Sequence, residues 1–188
     1  MTVDILVVTY NACDALERCI RSIQRNTSPE MYRLTVVDNA SSDGTRALLK
    51  RLGSEVNAVF AEANLGFSKG ANLAASLSRS EWVVFLDDDV EVTPGWLDGL
   101  VAHTEKEDGL GIVTCKVLYP NGSIFSAGYF PKQTISIGHG ELDHGQHNVL
   151  RYCDAFPGPV WLVSRKVFRR VGGFEEAYFP CQYEDVDF

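Results

Sequence analysis

Three consecutive carboxylates are the most distinctive chemical feature of the sequence. Asp87, Asp88 and Asp89 directly follow the apolar run from Trp82 to Leu86, which has the composition of a buried strand. Burial and mutual repulsion raise the free energy of adjacent carboxylates unless a cation compensates them. Mg²⁺ and Mn²⁺ prefer oxygen ligands and also bind phosphate oxygens. The motif therefore predicts a divalent-cation site; the alternative is an acidic turn that is solvated or caps the next helix.

A second polar segment follows another apolar run. It reads Asp38-Asn39-Ala40-Ser41-Ser42-Asp43-Gly44-Thr45. A carboxylate in the place of Asp38 could accept a hydrogen bond from a base or a ribose, as acidic residues do in dinucleotide sites. Small polar residues such as Ser41 and Asp43 also suit turns and helix caps. We therefore predict ligand binding for Asp38 and a structural role for the segment from Ser42 to Thr45.

A glycine-bearing loop opens a helix between Asn64 and Asn72. The amide groups at a helix N-terminus, together with the cation of Lys69, could bind a phosphate. The loop is neither a GxGxxG motif nor a P-loop, so a closely packed helix entry is an equally good interpretation.

A second acidic pair, Glu184-Asp185, lies near the end of the sequence. Such a carboxylate could take a proton from a hydroxyl nucleophile, although acidic residues also favour a helix N-terminus. A single helical turn does not hold itself together, so we expect the natural protein to continue beyond Phe188. The histidines show no paired-ligand pattern, and none is assigned to a metal.

The elements that must position these residues alternate between strand and helix. Apolar runs predict strands at Val3–Thr9, Leu34–Val37, Val56–Ala61 and Trp82–Leu86, and helical spacing predicts helices at Ala12–Asn26, Thr45–Leu52 and Lys69–Ser78. Such alternation predicts an α/β fold with a mostly parallel sheet covered by helices. Ligands of these sheets bind at the carboxyl ends of the strands, where Thr9-Tyr10-Asn11, Asp38, Asn64 and the three aspartates fall.

The pattern loosens after Asp89. The sequence predicts, in order, a helix from Pro94 to Lys106, a strand at Leu110–Leu118, a hairpin at Asn121-Gly122, a Gly- and His-rich surface loop at Tyr129–Tyr152, a strand at Val160–Val163 and a helix at Ser164–Val171 stopped by Gly172-Gly173. No linker divides the chain, so we expect a single domain over residues 1–188, with a nucleotide-binding half at 1–90 and an acceptor-side half at 91–188.

Composition excludes several classes of protein. The 17 Lys and Arg residues against 25 Asp and Glu give a net charge of −8, which argues against a nucleic-acid partner. A hydrophobic content of 45% with 22% charged residues is that of a folded globular protein. No apolar run approaches the ~20 residues of a transmembrane helix, so no membrane span is predicted. Five scattered cysteines fit reduced thiols, and we expect a cytoplasmic protein, with peripheral contact at the inner face of the plasma membrane as a further option.

The ordered set of motifs resembles the family-two glycosyltransferases of the GT-A fold, and most of all their bacterial rhamnosyltransferase-like branch. The set comprises Val7-Val8-Thr9-Tyr10-Asn11, Val36 to Gly44, Asn64-Leu65-Gly66-Phe67, Phe85 to Asp89, Gly172-Gly173-Phe174 and Tyr183 to Phe188. The resemblance implies transfer of a sugar from a nucleoside diphosphate, commonly a UDP- or dTDP-sugar, to an acceptor hydroxyl with inversion. It also implies Mn²⁺ or Mg²⁺ as cofactor, a saccharide or lipid-linked saccharide acceptor, and a role in cell-surface polysaccharide or glycoconjugate synthesis.

The resemblance also implies roles for individual residues. Asp185 would be the general base, Asp89 would bind the metal, and Asp87 would bind that metal or the ribose. The segment from Pro159 to Trp161 would face the acceptor. The remaining donor-binding residues would be Thr9, Tyr10, Asp38, Asn64, Gly66, Lys69, Asn72 and Asp88. Two alternatives stay open: a nucleotide-binding module without turnover, and a sugar nucleotidyltransferase, which normally carries a glycine-rich basic loop after its first strand.

Overall fold

Strand and helix alternate along the chain up to Leu86. A computed structural model describes residues 1–104, 110–129, 135–153, 155, 158–181 and 187–188. The first elements are β1 Val3–Thr9, α1 Cys13–Asn26, β2 Tyr32–Asp38, α2 Thr45–Leu52, β3 Asn57–Phe60, α3 Gly66–Leu77 and β4 Trp82–Leu86. They are followed by α4 Trp96–Val101, β5 Ile112–Val113, β6 Val117–Leu118, β7 Ile124–Ser126, β8 Val160–Ser164 and α5 Arg165–Val171.

One six-stranded sheet has the order β3-β2-β1-β4-β8-β5. Strands β3, β2, β1 and β4 are parallel, and β8 runs antiparallel to both β4 and β5. The predicted α/β fold with a mostly parallel central sheet is therefore confirmed. Strand order reverses at β1, which lies between β2 and β4, and the crevice above such a reversal is where open α/β sheets bind ligands.

The register of the sheet brings the carboxyl ends of the central strands together. Thr9 pairs with Asp38, and Asp38 pairs with Phe60 on β3. On the other side of β1, Leu6 pairs with Phe85. Extending that register by three residues places Thr9 beside Asp88, because parallel strands advance together.

The central strands are apolar on both faces because helices cover both faces of the sheet. Val3, Ile5 and Val7 pack in a core with α1 and α2, whereas Leu6 packs on the other face. The second core contains α3 and an aromatic group made of Phe85, Trp161, Phe168 and Phe174.

A buried carboxylate holds the opposite, amino-terminal edge of the sheet. Asp4 Oδ1 accepts a hydrogen bond from Arg33 Nε at 2.7 Å. Its Oδ2 accepts from the amides of Arg79 and Ser80 at 2.8 and 2.9 Å and from the Ser78 hydroxyl. Burial raises the pKa of Asp4, but these hydrogen bonds outweigh that effect and lower the pKa to about 2.

The second half differs from the prediction in two places. The predicted strand Leu110–Leu118 is two short strands in separate sheets, since β5 pairs with β8 and β6 with β7. The predicted helix from Pro94 is described only from Trp96 to Val101, and its last two predicted residues lie outside the described ranges.

The predicted hairpin at Asn121-Gly122 is confirmed. Gly122 has a φ of 83°, and its amide donates to the Tyr119 carbonyl at 2.9 Å. Part of the predicted surface loop pairs with this hairpin, because the Ile124 amide donates to the Glu141 carbonyl at 2.8 Å.

Within the described ranges, no helix has the length and apolar composition that a membrane crossing requires.

Candidate functional site

The three aspartates follow β4 at the edge where the strand order reverses. The Asp87 amide donates to the Pro159 carbonyl at 3.0 Å, which joins the end of β4 to the start of β8. Beneath them lies Cys19, whose Sγ is 3.7 Å from the Asp87 carbonyl oxygen. Burial, followed by the negative charges of Asp88 and Asp89, raises the pKa of Cys19 to about 12. Three consecutive carboxylates, Asp87 to Asp89, concentrate negative charge at this edge.

Asp88 lies against the end of β1, as the register requires. Burial raises the pKa of its carboxyl, and the neighbouring negative charge of Asp89 acts in the same direction. The Tyr10 side chain is half exposed beside them. The structure thus brings together three predicted donor-binding residues, and Asp88 is not simply a solvated turn residue.

The acidic edge suits a cation that is shared with a substrate. Among the described residues, no three His, Cys, Asp or Glu side chains already converge as a metal site. Mg²⁺ in proteins is commonly held by one or two carboxylates, with waters and substrate phosphates as the other ligands. Oxygen atoms of Asp87 and Asp89 could supply such a pair.

The loops after β1 and β2 are fastened to each other. Asn11 adopts a φ of 52°, its Oδ1 accepts from the Ser42 amide at 2.7 Å, and its own amide donates to Ser41 Oγ at 2.9 Å. The Cys13 amide donates to Asp43 Oδ2 at 3.0 Å. These contacts agree with the structural role predicted for the segment from Ser42 onward.

Asp38 has both carboxylate oxygens engaged within the protein. The side chain is 0% exposed, Oδ1 accepts from the Ser41 amide at 3.0 Å, and Oδ2 accepts from Arg46 Nε at 2.7 Å. Arg46 also donates from Nη2 to the Ala61 carbonyl at 2.7 Å and lies over the Phe60 ring. Asp38 therefore ties β2 to β3, and its predicted contact with a donor stays a prediction.

Asn39 was not among the residues predicted from the sequence to bind a ligand. The residue is 3% exposed, and its Nδ2 donates to the Gly66 carbonyl at 3.0 Å. Among the described residues, its Oδ1 has no hydrogen-bond partner, and the same is true of the buried hydroxyls of Thr9, Thr45 and Ser68. A buried acceptor without a donor costs free energy, so this oxygen is suited to a ligand N–H. An asparagine directly after a parallel strand was the available signal.

The entrance to α3 is capped by the protein itself. The Gly66 amide donates to Asn64 Oδ1 at 2.9 Å, and the Phe67 amide donates to the Pro180 carbonyl at 2.8 Å. These two amides are therefore committed, which supports the closely packed helix entry for this loop. Lys69 remains half exposed, with its Nζ 3.8 Å from Glu176 Oε2.

Asn72 also has its polar atoms engaged. Its Nδ2 donates to the Phe174 carbonyl at 2.9 Å, and its Oδ1 accepts from the Phe174 amide at 2.9 Å. The predicted contact of Asn72 with a donor is untested by this arrangement and stays a prediction.

The predicted general base, Asp185, lies outside the described residues, as does Glu184. Its assignment therefore stays a prediction. The acceptor contact predicted for the segment from Pro159 to Trp161 also stays a prediction. The Trp161 side chain is 2% exposed and packs in the aromatic core. Its ring lies 5.9 Å from that of Phe174 and 5.8 Å from that of Phe188.

Comparison with known sequences identifies relatives along most of the chain. The family model described as "Glycosyl transferase family 2" matches residues 4–172. The O-antigen biosynthesis protein RfbC of Myxococcus xanthus is 28% identical over 95% of this chain and 15% of its own length. The N-acetylglucosaminyl-diphospho-decaprenol L-rhamnosyltransferase of Mycobacterium tuberculosis is 27% identical over 97% of this chain and 67% of its own. An uncharacterized Sinorhizobium fredii protein, y4gI, is 29% identical, and the match covers 22% of it.

Solved structures share the fold. A mannosyltransferase from Pyrobaculum calidifontis, solved with GDP-Man and Mn²⁺, matches with a TM-score of 0.70 and 23% identity over 93% of this chain and 47% of that one. Staphylococcus aureus TarS 1–349 matches with a TM-score of 0.74 and 18% identity over 98% of this chain and 53% of that one. The chain thus spans about half of each neighbour. With a GT-A fold and a family match from residue 4 to residue 172, the chain belongs to glycosyl transferase family 2.

Proposed function

We propose that the chain binds a nucleoside diphosphate sugar at the carboxyl edge of β1, β2 and β4 and transfers the sugar to an acceptor hydroxyl with inversion. The observation that carries this proposal is the register of β1 and β4, which places Asp88 beside Thr9 at the carboxyl end of β1. It sets the acidic run beside the crevice where the strand order reverses. The family match supports sugar transfer as the reaction.

The nucleoside would lie over the ends of β1 and β2. Asn39 Oδ1, a buried acceptor, would receive a hydrogen bond from a base N–H, such as the single imino group of uracil or thymine. Tyr10 presents a half-exposed ring at the same edge. We therefore propose a UDP- or dTDP-sugar donor.

Asp87 and Asp89 would hold the diphosphate through a divalent cation, Mn²⁺ or Mg²⁺. Such an ion stabilises the negative charge that builds on a departing diphosphate. The negative charge of three consecutive carboxylates at this edge supports a cation there. A mannosyltransferase with the same fold was solved with GDP-Man and Mn²⁺.

The acceptor hydroxyl needs a base because it is a poor nucleophile. A carboxylate that takes the proton as the new bond forms contributes about 10² to 10⁴ in rate. We propose Asp185 for this role. A single displacement needs one such base, on the side of the sugar opposite the leaving group, and it inverts the anomeric carbon.

A saccharide or lipid-linked saccharide would be the acceptor, within cell-surface polysaccharide or glycoconjugate synthesis. The names of two relatives support this class: one is an O-antigen biosynthesis protein, and the other transfers rhamnose to a decaprenol-linked sugar.

Calorimetric titration with UDP, dTDP and GDP, each with Mn²⁺ and then with EDTA, tests the donor site. We expect Mn²⁺-dependent binding in the wild type and in Asp185→Asn, and its loss in Asp89→Ala. Asp98→Ala, which removes an exposed carboxylate from α4, is the matched control. Equal loss of binding in the Asp89 and Asp185 variants would contradict the division of roles. Nucleotide binding without sugar transfer would favour a binding module.

A further inference from the structure

The segment that follows α5 is fastened to helix α3 by Asn72. One side-chain amide contacts both polar backbone groups of Phe174, with two hydrogen bonds of 2.9 Å. Because the amide is planar and both bonds go to one residue, they fix the orientation of the backbone as well as its position. Asn72 Nδ2 also lies 3.2 Å from Glu176 Oε1.

The residue that Asn72 holds is an anchor of the second core. Phe174 is 4% exposed, and its ring lies 5.0 Å from that of Phe85 on β4 and 5.6 Å from that of Phe67 on α3. Gly173 has a φ of 86°, and a Cβ there would lie 2.6 Å from Asn72 Oδ1. The close approach of this backbone to Asn72 therefore depends on glycine.

A second attachment lies further along the same segment. The Phe67 amide donates to the Pro180 carbonyl at 2.8 Å. A Cβ on Gly66 would lie 2.9 Å from both the Phe179 ring and the Pro180 carbonyl oxygen, so the segment lies directly on the helix. Both attachments are on α3. We call the carboxyl edge of β1, β2 and β4, where the donor is proposed to bind, the donor edge. The N-terminus of α3 borders it through the contact of Asn39 with Gly66.

The chain returns to the same surface at Phe188. Its ring lies 5.1 Å from that of Phe174 and 5.4 Å from that of Phe168. The described residues on both sides of Asp185 therefore contact the core that Asn72 helps to build, although Asp185 is not itself described.

We infer that Asn72 is a positioning residue for sugar transfer: by fixing Phe174 on α3, it holds the described segment from Phe174 to Pro180 against the helix that borders the donor edge. This inference rests on the proposed function. It differs from direct donor binding, because the amide of Asn72 is used by the protein backbone.

Steady-state kinetics separate positioning from donor binding. Nucleoside diphosphate release is measured with Mn²⁺ and with the nucleotide sugar that the wild type turns over fastest among UDP-glucose, dTDP-rhamnose and GDP-mannose. We expect Asn72→Ala to lower kcat about 10-fold or more, with the donor KM and the Kd of the nucleoside diphosphate changed less than about 2-fold. Ser76→Ala, on the same helix but bonded only to the Leu73 carbonyl, should match the wild type.

A double variant tests whether Asn72 acts through Asp185. Once Asp185→Asn has removed the base, adding Asn72→Ala should cost no further activity, because residues that act as a unit are not additive. Should Asn72→Ala fail to fold, Asn72→Asp keeps the acceptor for the Phe174 amide and takes its place. Fully additive losses would overturn the inference.

The remaining outcomes distinguish the two proposals. A donor Kd that rises as kcat falls would make Asn72 a donor ligand and would overturn the inference alone. An unchanged kcat would also overturn the inference and leave the proposed function intact. A folded wild type that neither binds nor turns over any of the three donors would overturn the proposed function, and the inference with it.

Discussion

Arg46 neutralises Asp38, a carboxylate that has no exposure to solvent. Its Nε lies 2.7 Å from Asp38 Oδ2, and its Nη2 donates to the Ala61 carbonyl at the end of β3. One side chain on α2 thus compensates a buried charge and joins two strand ends at the donor edge.

We expect Arg46→Met to lower the free energy of unfolding by roughly 2 to 4 kcal/mol, because it leaves the Asp38 carboxylate buried without its cation. Urea denaturation measures the loss. Arg46→Lys keeps the charge without the two-pronged geometry of arginine. Its free energy of unfolding should lie between those of the wild type and Arg46→Met. Adding Asp38→Asn to Arg46→Met should recover part of the stability. A loss in Arg46→Met as small as that of an exposed ion pair, below about 1 kcal/mol, would refute the coupling.

The ionisation of Asp4, which lies at the opposite edge of the sheet, should make the free energy of unfolding depend on pH. Its pKa in the folded protein is about 2, below the ordinary 3.8. The depressed pKa contributes stability that is fully present above pH 3.8 and is lost as the pH falls through 2, and it amounts to about 2 kcal/mol. Unfolding free energies from pH 5 to pH 2 should therefore fall more steeply in the wild type than in Asp4→Asn.

Asp14→Asn, which alters an exposed carboxylate on α1, is the control for the Asp4 series and should follow the wild-type curve. Parallel pH profiles for the wild type and Asp4→Asn would show that the Asp4 network does not depend on ionisation.

Gly66 and Gly53 form a matched pair for the attachment on α3. Both have positive φ, but a Cβ on Gly66 would clash with Phe179 and Pro180, whereas nothing lies within 4 Å of one on Gly53. Gly53→Ala should cost only the backbone strain of a sparsely populated conformation, about 1 to 3 kcal/mol. Gly66→Ala should cost more and lower Tm further, with faster amide exchange at Phe67. Equal Tm values would mean that the segment moves away without cost.

The Asn39→Ala substitution should selectively lower the affinity for the donor nucleotide. Asn39→Ala removes the buried Oδ1 acceptor, and we expect the Kd of UDP or dTDP with Mn²⁺ to rise about 10-fold, as for one hydrogen bond to a buried partner. Asn57→Ala removes the amide of an exposed residue at the start of β3, which bonds to Thr35 on β2, and should leave the Kd unchanged. A rise in Kd in both variants would point to general destabilisation instead.

The first four strands were predictable because their signals are local. The nearly continuous apolar run at Val3–Thr9 and the continuous one at Trp82–Leu86 match β1 and β4 residue for residue. Parallel strands with short connections then force their carboxyl ends to one edge, so the meeting of Thr9 with Asp88 followed from topology. The two-residue strands β5 and β6 were merged into one predicted strand because they are too short to show a period.

The tasks of individual polar side chains were not predictable in the same way. Asp38 was predicted as a ligand, but whether its oxygens are engaged depends on how α2 packs Arg46 against β2 and β3. Asn72 contacts Phe174 across 102 residues of sequence. Such contacts exist only once the chain has folded, and no spacing within a motif encodes them.

The continuous hydrogen bonding of β4 has a consequence for motion. It pairs with β1 on one side and β8 on the other, and the Asp87 amide extends that pairing to Pro159. The carboxyl edge of β1 and β4 and the start of β8 therefore belong to one continuous sheet. For the proposed sugar transfer, we therefore expect substitutions in the loops at this edge to change the rate of product release.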